Sequence, residues 1–191
     1  MVRRSVKEMI INDMFRGKAI LIYGARQVGK TTLVNDIVRD FDKPVVFLNG
    51  DNADIRELFS NFNASKFLPY AGENNIVVID EAQRIPGIGL AVKIIADNYK
   101  NVQLIVTGSS AFELANLIKE PMTGRKFEYF LWPFSFTEMR DYHGYLQEKR
   151  MVERRMIFGY YPEVALNTGK EPRLLEMLAS DYLYMEDGYS P

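Results

Sequence analysis

The sequence predicts an α/β fold: a parallel sheet flanked by helices, followed by a small helical appendage. Three observations predict it. Short apolar runs alternate with stretches of helical spacing from residue 18 to about residue 130. The first of those runs enters a glycine-bounded loop, GARQVGKT at 24–31, and a helical pattern follows it at once. Beyond Pro133 the alternation stops and helical spacing continues to residue 191.

Residues 3–15 place Val6, Met9, Ile10, Met14 and Phe15 at helical spacing, with Gly17 as the stop. KAILIYG (18–24) is a continuous apolar run ended by glycine, the pattern of a strand buried on both faces. A helix is expected over 30–40, a second strand at KPVVFLNG (43–50), and helical spacing of Ile55, Leu58, Phe59 and Phe62 within 52–68. NNIVVIDEAQ (74–83) is the third strand, 88–100 a helix, VQLIVTGSS (102–110) the fourth strand and 111–119 a further helix. RKFEYFLWPFSF (125–136) alternates and is aromatic, as a fifth strand would be. SFTE (135–138) is a capping box, in which Ser135 caps a helix and Glu138 reaches back. These patterns divide the chain into an α/β core, 1–134, and a helical lid-like appendage, 135–191, broken at GYYPE (159–163) and GKEP (169–172).

The 191 residues suffice for one substantial core or one domain with an appendage. A net charge of −1 gives no global attraction to nucleic acid or to anionic membranes. The absence of cysteine excludes disulfides and thiolate metal sites. No apolar run approaches the roughly 20 residues that span a bilayer, and no cleavable apolar leader follows Arg3, Arg4 and Lys7. A cytoplasmic protein with no membrane partner is the expectation.

GARQVGKT fits G-x-x-x-x-G-K-[ST] at each fixed position: Gly24, Gly29, Lys30 and Thr31. Glycines let the backbone wrap closely, so that successive N–H groups form a nest for phosphate oxygens. The helix that follows points its positive end at the same place. The nucleotide-binding residues are therefore Gly24, Ala25, Arg26, Gln27, Val28, Gly29, Lys30, Thr31 and Thr32. Lys30 reaches the β- and γ-phosphates, and the Thr31 hydroxyl ligates Mg²⁺. Arg26 faces either phosphate or solvent.

Hydrolysis needs a second acid near the metal and a group to orient water. IVVIDEAQ ends a buried run in two acids, and ligands of parallel sheets bind at the carboxyl ends of strands. Asp80 is the expected Mg²⁺ holder and Glu81 the group that polarises the attacking water. LIVTGSS (104–110) ends a second buried run in Thr107, Ser109 and Ser110, where a hydroxyl either positions the water or caps the next helix. Arg125, after Gly124, either presents its guanidinium to a γ-phosphate, in cis or from a neighbouring subunit, or is solvated. His143, the single histidine, reads as a surface or capping residue. EKRMVERRM (148–156) reads as a solvated helix face, and Tyr160, Tyr161 and Pro162 as an aromatic turn that either stacks a base or, more commonly for such a turn, packs into the core.

YGARQVGKTTL, VVIDEAQ, IVTGSSAF, TGRKFEYFLWPFSFTEM and FGYYPEV resemble, in order and spacing, the archaeal and bacterial AAA-type P-loop ATPases of the AAA_14 group. The resemblance runs to about residue 185. The TGR…L-x-P-F-S-F-x-E block and the G-Y-Y-P-E turn point to this group in particular. It implies an ASCE-type sheet, with a strand inserted between the P-loop strand and the acid-bearing strand. It implies ATP as the nucleotide, a sensor-like Ser109 and a finger-like Arg125, the latter requiring a homo-oligomer if it acts across subunits. Members of the group continue into a winged-helix and nuclease-like C-terminal region that would engage a protein or DNA partner. This chain stops at DYLYMEDGYSP, as expected of a shortened form or of a stand-alone ATPase module.

The leading expectation is Mg²⁺-dependent ATP hydrolysis to ADP. The alternatives are an ATP-gated switch with negligible turnover and a fragment of a helicase-like motor, the latter because DEAQ also resembles helicase strand-end motifs. A guanine-reading Asn-Lys-x-Asp motif is absent from the sequence.

Overall fold

The computed structural model describes residues 1–60, 62–72, 75–109 and 122–186. The chain forms two compact units, Ser5–Trp132 and a second that joins Met1–Arg4 to the chain from Pro133 onward. The assignment of the first four residues to the helical unit is not visible in the sequence pattern, which counts them with the core.

The larger unit is built on five strands: β1 Ala19–Tyr23, β2 Val45–Asn49, β3 Ile76–Asp80, β4 Gln103–Gly108 and β5 Lys126–Phe130. They lie in the order β2-β3-β4-β1-β5, and each neighbouring pair is parallel. β4 is thus the strand inserted between the loop-bearing β1 and the acid-bearing β3, the ASCE order. The three central strands are buried at each position, which is why their sequences are unbroken apolar runs. The two edge strands are partly exposed, each with a single buried position, Leu48 and Tyr129.

Successive side chains of a strand point to opposite faces. Leu21, Val77, Ile79, Leu104 and Val106 therefore pack on one side with helix α5, Ile88–Asn98, through Ile88, Val92 and Ile95. Ile55 and Phe59 of α3, Ala53–Ser60, and Phe67 of α4, Ala64–Ala71, join the same side. Asn63 starts α4 by accepting the Lys66 N–H, so the helical spacing read across 52–68 resolves into two helices. On the other side Ile20, Ile22, Ile76, Val78 and Ile105 pack with Ile10 of α1, Val6–Asp13, and Leu33, Val34 and Ile37 of α2, Lys30–Val38. The helix expected over 111–119 lies outside the described residues.

The second unit contains α6, Phe136–His143, α7, Tyr145–Phe158, α8, Pro162–Leu166, and α9, Glu171–Glu186. Both halves of the Ser135–Glu138 capping box are present. Val2, Phe134, Met139 and Ala165 form its apolar centre, and Arg4 donates to Glu138 and stacks on the Phe134 ring.

The charged segment 148–156 departs from the solvated face read in the sequence. Glu148 and Arg155 are buried, and Arg155 donates to Glu148 at 3.4 Å and to the Ala165 carbonyl at 3.0 Å. Tyr160 Oη and His143 Nε2 also bond Glu148, each at 2.7 Å. His143 is thus a partner of a buried carboxylate, not a free surface residue. Arg154 forks onto Glu171 at 2.5 and 2.7 Å. Among the described residues no helix is long and apolar enough to cross a membrane.

Candidate functional site

The residues singled out in the loop and at two strand ends meet at the carboxyl tips of β1, β3 and β4. β1 delivers the chain to Gly24. A Cβ there would lie 2.4 Å from the Leu131 carbonyl, so the residue must be glycine for the loop to leave beside the chain that follows β5. At the other end of the loop Gly29 takes φ 96°, a left-handed turn that L side chains rarely adopt, and opens α2. Between them Gln27 is also left-handed, at φ 60°. Val28 is fully buried and anchors the loop to the core, while Thr32 is exposed on the first turn of α2.

Lys30 is the first residue of α2 and is only 5% exposed. Its Nζ donates to the carbonyls of Gly24, at 2.9 Å, and Ala25, at 3.0 Å. Burial lowers its pKa; the carboxylates of Glu81 and Asp80 oppose that shift, and Arg26 adds to it. Arg26 therefore stands close enough to Lys30 to act on its charge. A buried ammonium that rests on carbonyls is a site prepared for an anion, because phosphate oxygens are stronger acceptors for it.

Thr31 Oγ1 donates to Asp80 Oδ2 at 2.8 Å, joining the loop to the end of β3. The other oxygen of Asp80 accepts the Thr107 hydroxyl from the neighbouring strand and the Glu81 N–H at 3.1 Å. Thr107, read in the sequence as one of three hydroxyls available to position water, is fully buried and holds Asp80 instead. A carboxylate beside a hydroxyl at the mouth of an anion nest is an oxygen donor set of the kind that suits Mg²⁺, which takes few protein ligands and relies on phosphate for others. Thr31 and Asp80 would hold it.

Glu81 breaks from the strand with φ 51° and ψ 41°. A non-glycine residue in that region costs about 1–2 kcal/mol, and the kink starts the 3₁₀ turn Ala82–Arg84. The turn brings Gln83 back onto Glu81, where Nε2 donates to Oε2 at 2.5 Å. The same Nε2 donates to Ser109 Oγ at 2.8 Å, and Gln83 Oε1 accepts the Ser109 N–H at 3.3 Å. Ser109 thus joins the cluster, but through Gln83, a residue the sequence reading passed over. Its signal was the Gln two places after Glu81 in DEAQ. Ser110 lies outside the described residues.

Arg125 is not brought to this site. It precedes the first residue of β5, which pairs with Ala19 at the start of β1, whereas the loop leaves the far end of β1. Six residues of extended chain, about 20 Å, separate the two levels. Arg125 instead donates to Asp97 at 2.6 Å and to the Thr123 carbonyl at 3.3 Å. A finger acting in cis is excluded by this placement, because the parallel register carries the two groups to opposite ends of the sheet.

A family model described as an AAA domain, AAA_14, matches residues 16–140. The uncharacterized proteins Rv2008c of Mycobacterium tuberculosis and Mb2031c of Mycobacterium bovis are each 28% identical over 125 residues, which is 64% of this chain and 27% of theirs. The chain spans about a quarter of the length of these curated relatives. Among solved structures, the Walker-type ATPase PABY2304 of Pyrococcus abyssi is similar with a TM-score of 0.65 and 16% identity, over 97% of this chain and 74% of that one. ORC1 of Aeropyrum pernix, solved in complex with DNA, gives 0.54 and 14%, over 80% of this chain and 50% of that one. At these identities the likeness to solved structures is one of fold.

Proposed function

We propose that this chain, which belongs to the AAA_14 family of AAA domains, binds ATP with Mg²⁺ and hydrolyses it to ADP and phosphate. The observation that supports this best is the 2.8 Å bond from Thr31 to Asp80, because it joins the phosphate-loop hydroxyl and the strand-end acid at one point beside Glu81. Loop N–H groups and Lys30 would take the β- and γ-phosphates, with Lys30 exchanging its two carbonyl acceptors for phosphate oxygens. Bound at Thr31 and Asp80, Mg²⁺ would neutralise charge on the phosphate oxygens. Glu81 would orient the attacking water and accept its proton. Thr107 fixes the Asp80 carboxylate from behind, so that the acid cannot rotate away when Thr31 turns its hydroxyl toward the metal.

The relatives are almost four times as long as the matched segment, and we place the partner, protein or DNA, on the remainder of such a protein. The test is phosphate release and ATP binding by the wild type and Glu81→Gln, with and without Mg²⁺. Glu81→Gln is expected to bind ATP as the wild type does and to lose turnover by about 10²-fold or more. A Glu81→Gln variant with wild-type turnover removes Glu81 from this role. Tight binding with no release by either protein makes the chain an ATP-gated switch.

A further inference from the structure

Gln83 satisfies two demands at once. The Glu81 carboxylate needs a donor, and the Ser109 N–H needs an acceptor. The carboxamide offers one of each, with Nε2 toward Glu81 Oε2 and Ser109 Oγ and with Oε1 toward the Ser109 nitrogen. Turning the amide over would set its carbonyl against the carboxylate, so the orientation is fixed by chemistry. The turn that carries Gln83 is fixed as well. Ala82 is fully buried and Ile85 nearly so, and the N–H groups of Arg84 and Ile85 close the turn on the carbonyls of Glu81 and Ala82.

We propose that Gln83 is a positioning residue for Glu81, clasping its Oε2 to the tip of β4 and leaving Glu81 Oε1 to meet water; this rests on the hydrolytic role given to Glu81 above. The clasp makes Ser109 act on the reaction through Gln83, so a shift of the β4 tip moves the water-orienting carboxylate with it. Side-chain length and charge both matter at this position. The substitution Gln83→Asn leaves the amide a methylene short of reaching both partners, and Gln83→Glu sets a carboxylate against a carboxylate.

The test uses ATP, the full chain and the variants Gln83→Ala, Gln83→Glu, Ser109→Ala and the Gln83→Ala/Ser109→Ala double mutant. Gln83→Ala is expected to lower kcat about 10- to 100-fold, the scale on which misplacing a reacting group acts, with the Kd for ATP within about twofold of wild type. Ser109→Ala should lose a similar factor, and the double mutant no more than the larger single loss. Gln83→Glu should fall below Gln83→Ala. A second readout needs no turnover. The side-chain NH₂ resonances of Gln83, recognised by their disappearance in Gln83→Ala, should shift in both Glu81→Gln and Ser109→Ala without nucleotide. Wild-type kcat in Gln83→Ala, or unmoved resonances, overturns the clasp and leaves the hydrolysis reading intact. A wild type that releases no phosphate overturns hydrolysis itself, and the positioning role with it.

Discussion

Replacing Arg155 with alanine tests whether the charges of α7 are structural. Arg155 is 5% exposed and Glu148 is fully buried. The substitution removes the donor to the Ala165 carbonyl, and a buried acceptor left bare costs about 1–3 kcal/mol. It removes the guanidinium stacked 5.4 Å from the Tyr160 ring, worth about 0.5–1 kcal/mol. It also takes the cation from a buried carboxylate, and breaking such a pair from one side costs about 3–5 kcal/mol in all. Glu148 keeps Tyr160 and His143, and its bond to Arg155 is long at 3.4 Å. Both facts place the total at the low end, about 3 kcal/mol. Urea unfolding followed by far-ultraviolet circular dichroism measures it, with Glu148→Gln and the double mutant completing a cycle whose coupling should reach about 1 kcal/mol. An Arg155→Ala midpoint equivalent to a change within about 0.5 kcal/mol, the range of ordinary surface substitutions, refutes the reasoning.

Three further outcomes are expected. Lys30→Ala should abolish the ATP-dependent rise in melting temperature, which for a binding-competent chain corresponds to about 2.7 kcal/mol at a hundredfold excess over Kd; a retained rise would show that the ammonium is not part of the phosphate cradle. Arg125→Ala should change turnover less than about twofold, the outcome for a surface residue outside the site, and a hundredfold loss would restore it as a finger supplied by another subunit. Glu171 has its pKa lowered to about 2, first by the forked bond from Arg154 and then by the N–H groups of Glu171 and Gly169. Its native pKa lies below the unfolded value, so its stabilisation is present above about pH 4.5 and is lost as the pH falls toward about 2. Melting temperatures between pH 5 and pH 2 should converge for the wild type and Arg154→Met, and parallel curves would count against the pair.

The central strands were legible because burial on both faces leaves no room for polar residues, so AILIY, IVVID and the run through QLIVTG announce themselves. Their lateral order was not, since periodicity records which face a side chain takes and not which strand lies beside it; the resemblance supplied that. The aromatic alternation predicts a fifth strand over 125–136, but it continues past Phe130 whereas the pairing with β1 ends there. That the loop, Asp80 and Glu81 come together at the strand tips was legible from residue type and spacing. Arg125 stays open between phosphate and solvent in the sequence because its neighbours say nothing about which end of the sheet it enters. Glu148 and Arg155 misled for a related reason: seven residues apart they share a helix face, and an alternation of signs looks the same whether that face meets water or another helix.

The membership of Met1–Arg4 in the C-terminal unit has a consequence for the order in which the protein assembles. Val2 packs in a cluster with Phe134, Met139 and Ala165, and Arg4 pairs with Glu138, so these contacts close a loop of more than a hundred residues. Contacts that distant in sequence form late, since the entropy of closure is lost before they reward it. On a ribosome the α/β unit, Ser5–Trp132, can fold as soon as it emerges, while the four residues before it wait for partners that have not yet been synthesised. A segment made ahead of the whole sheet is among the last to find its place.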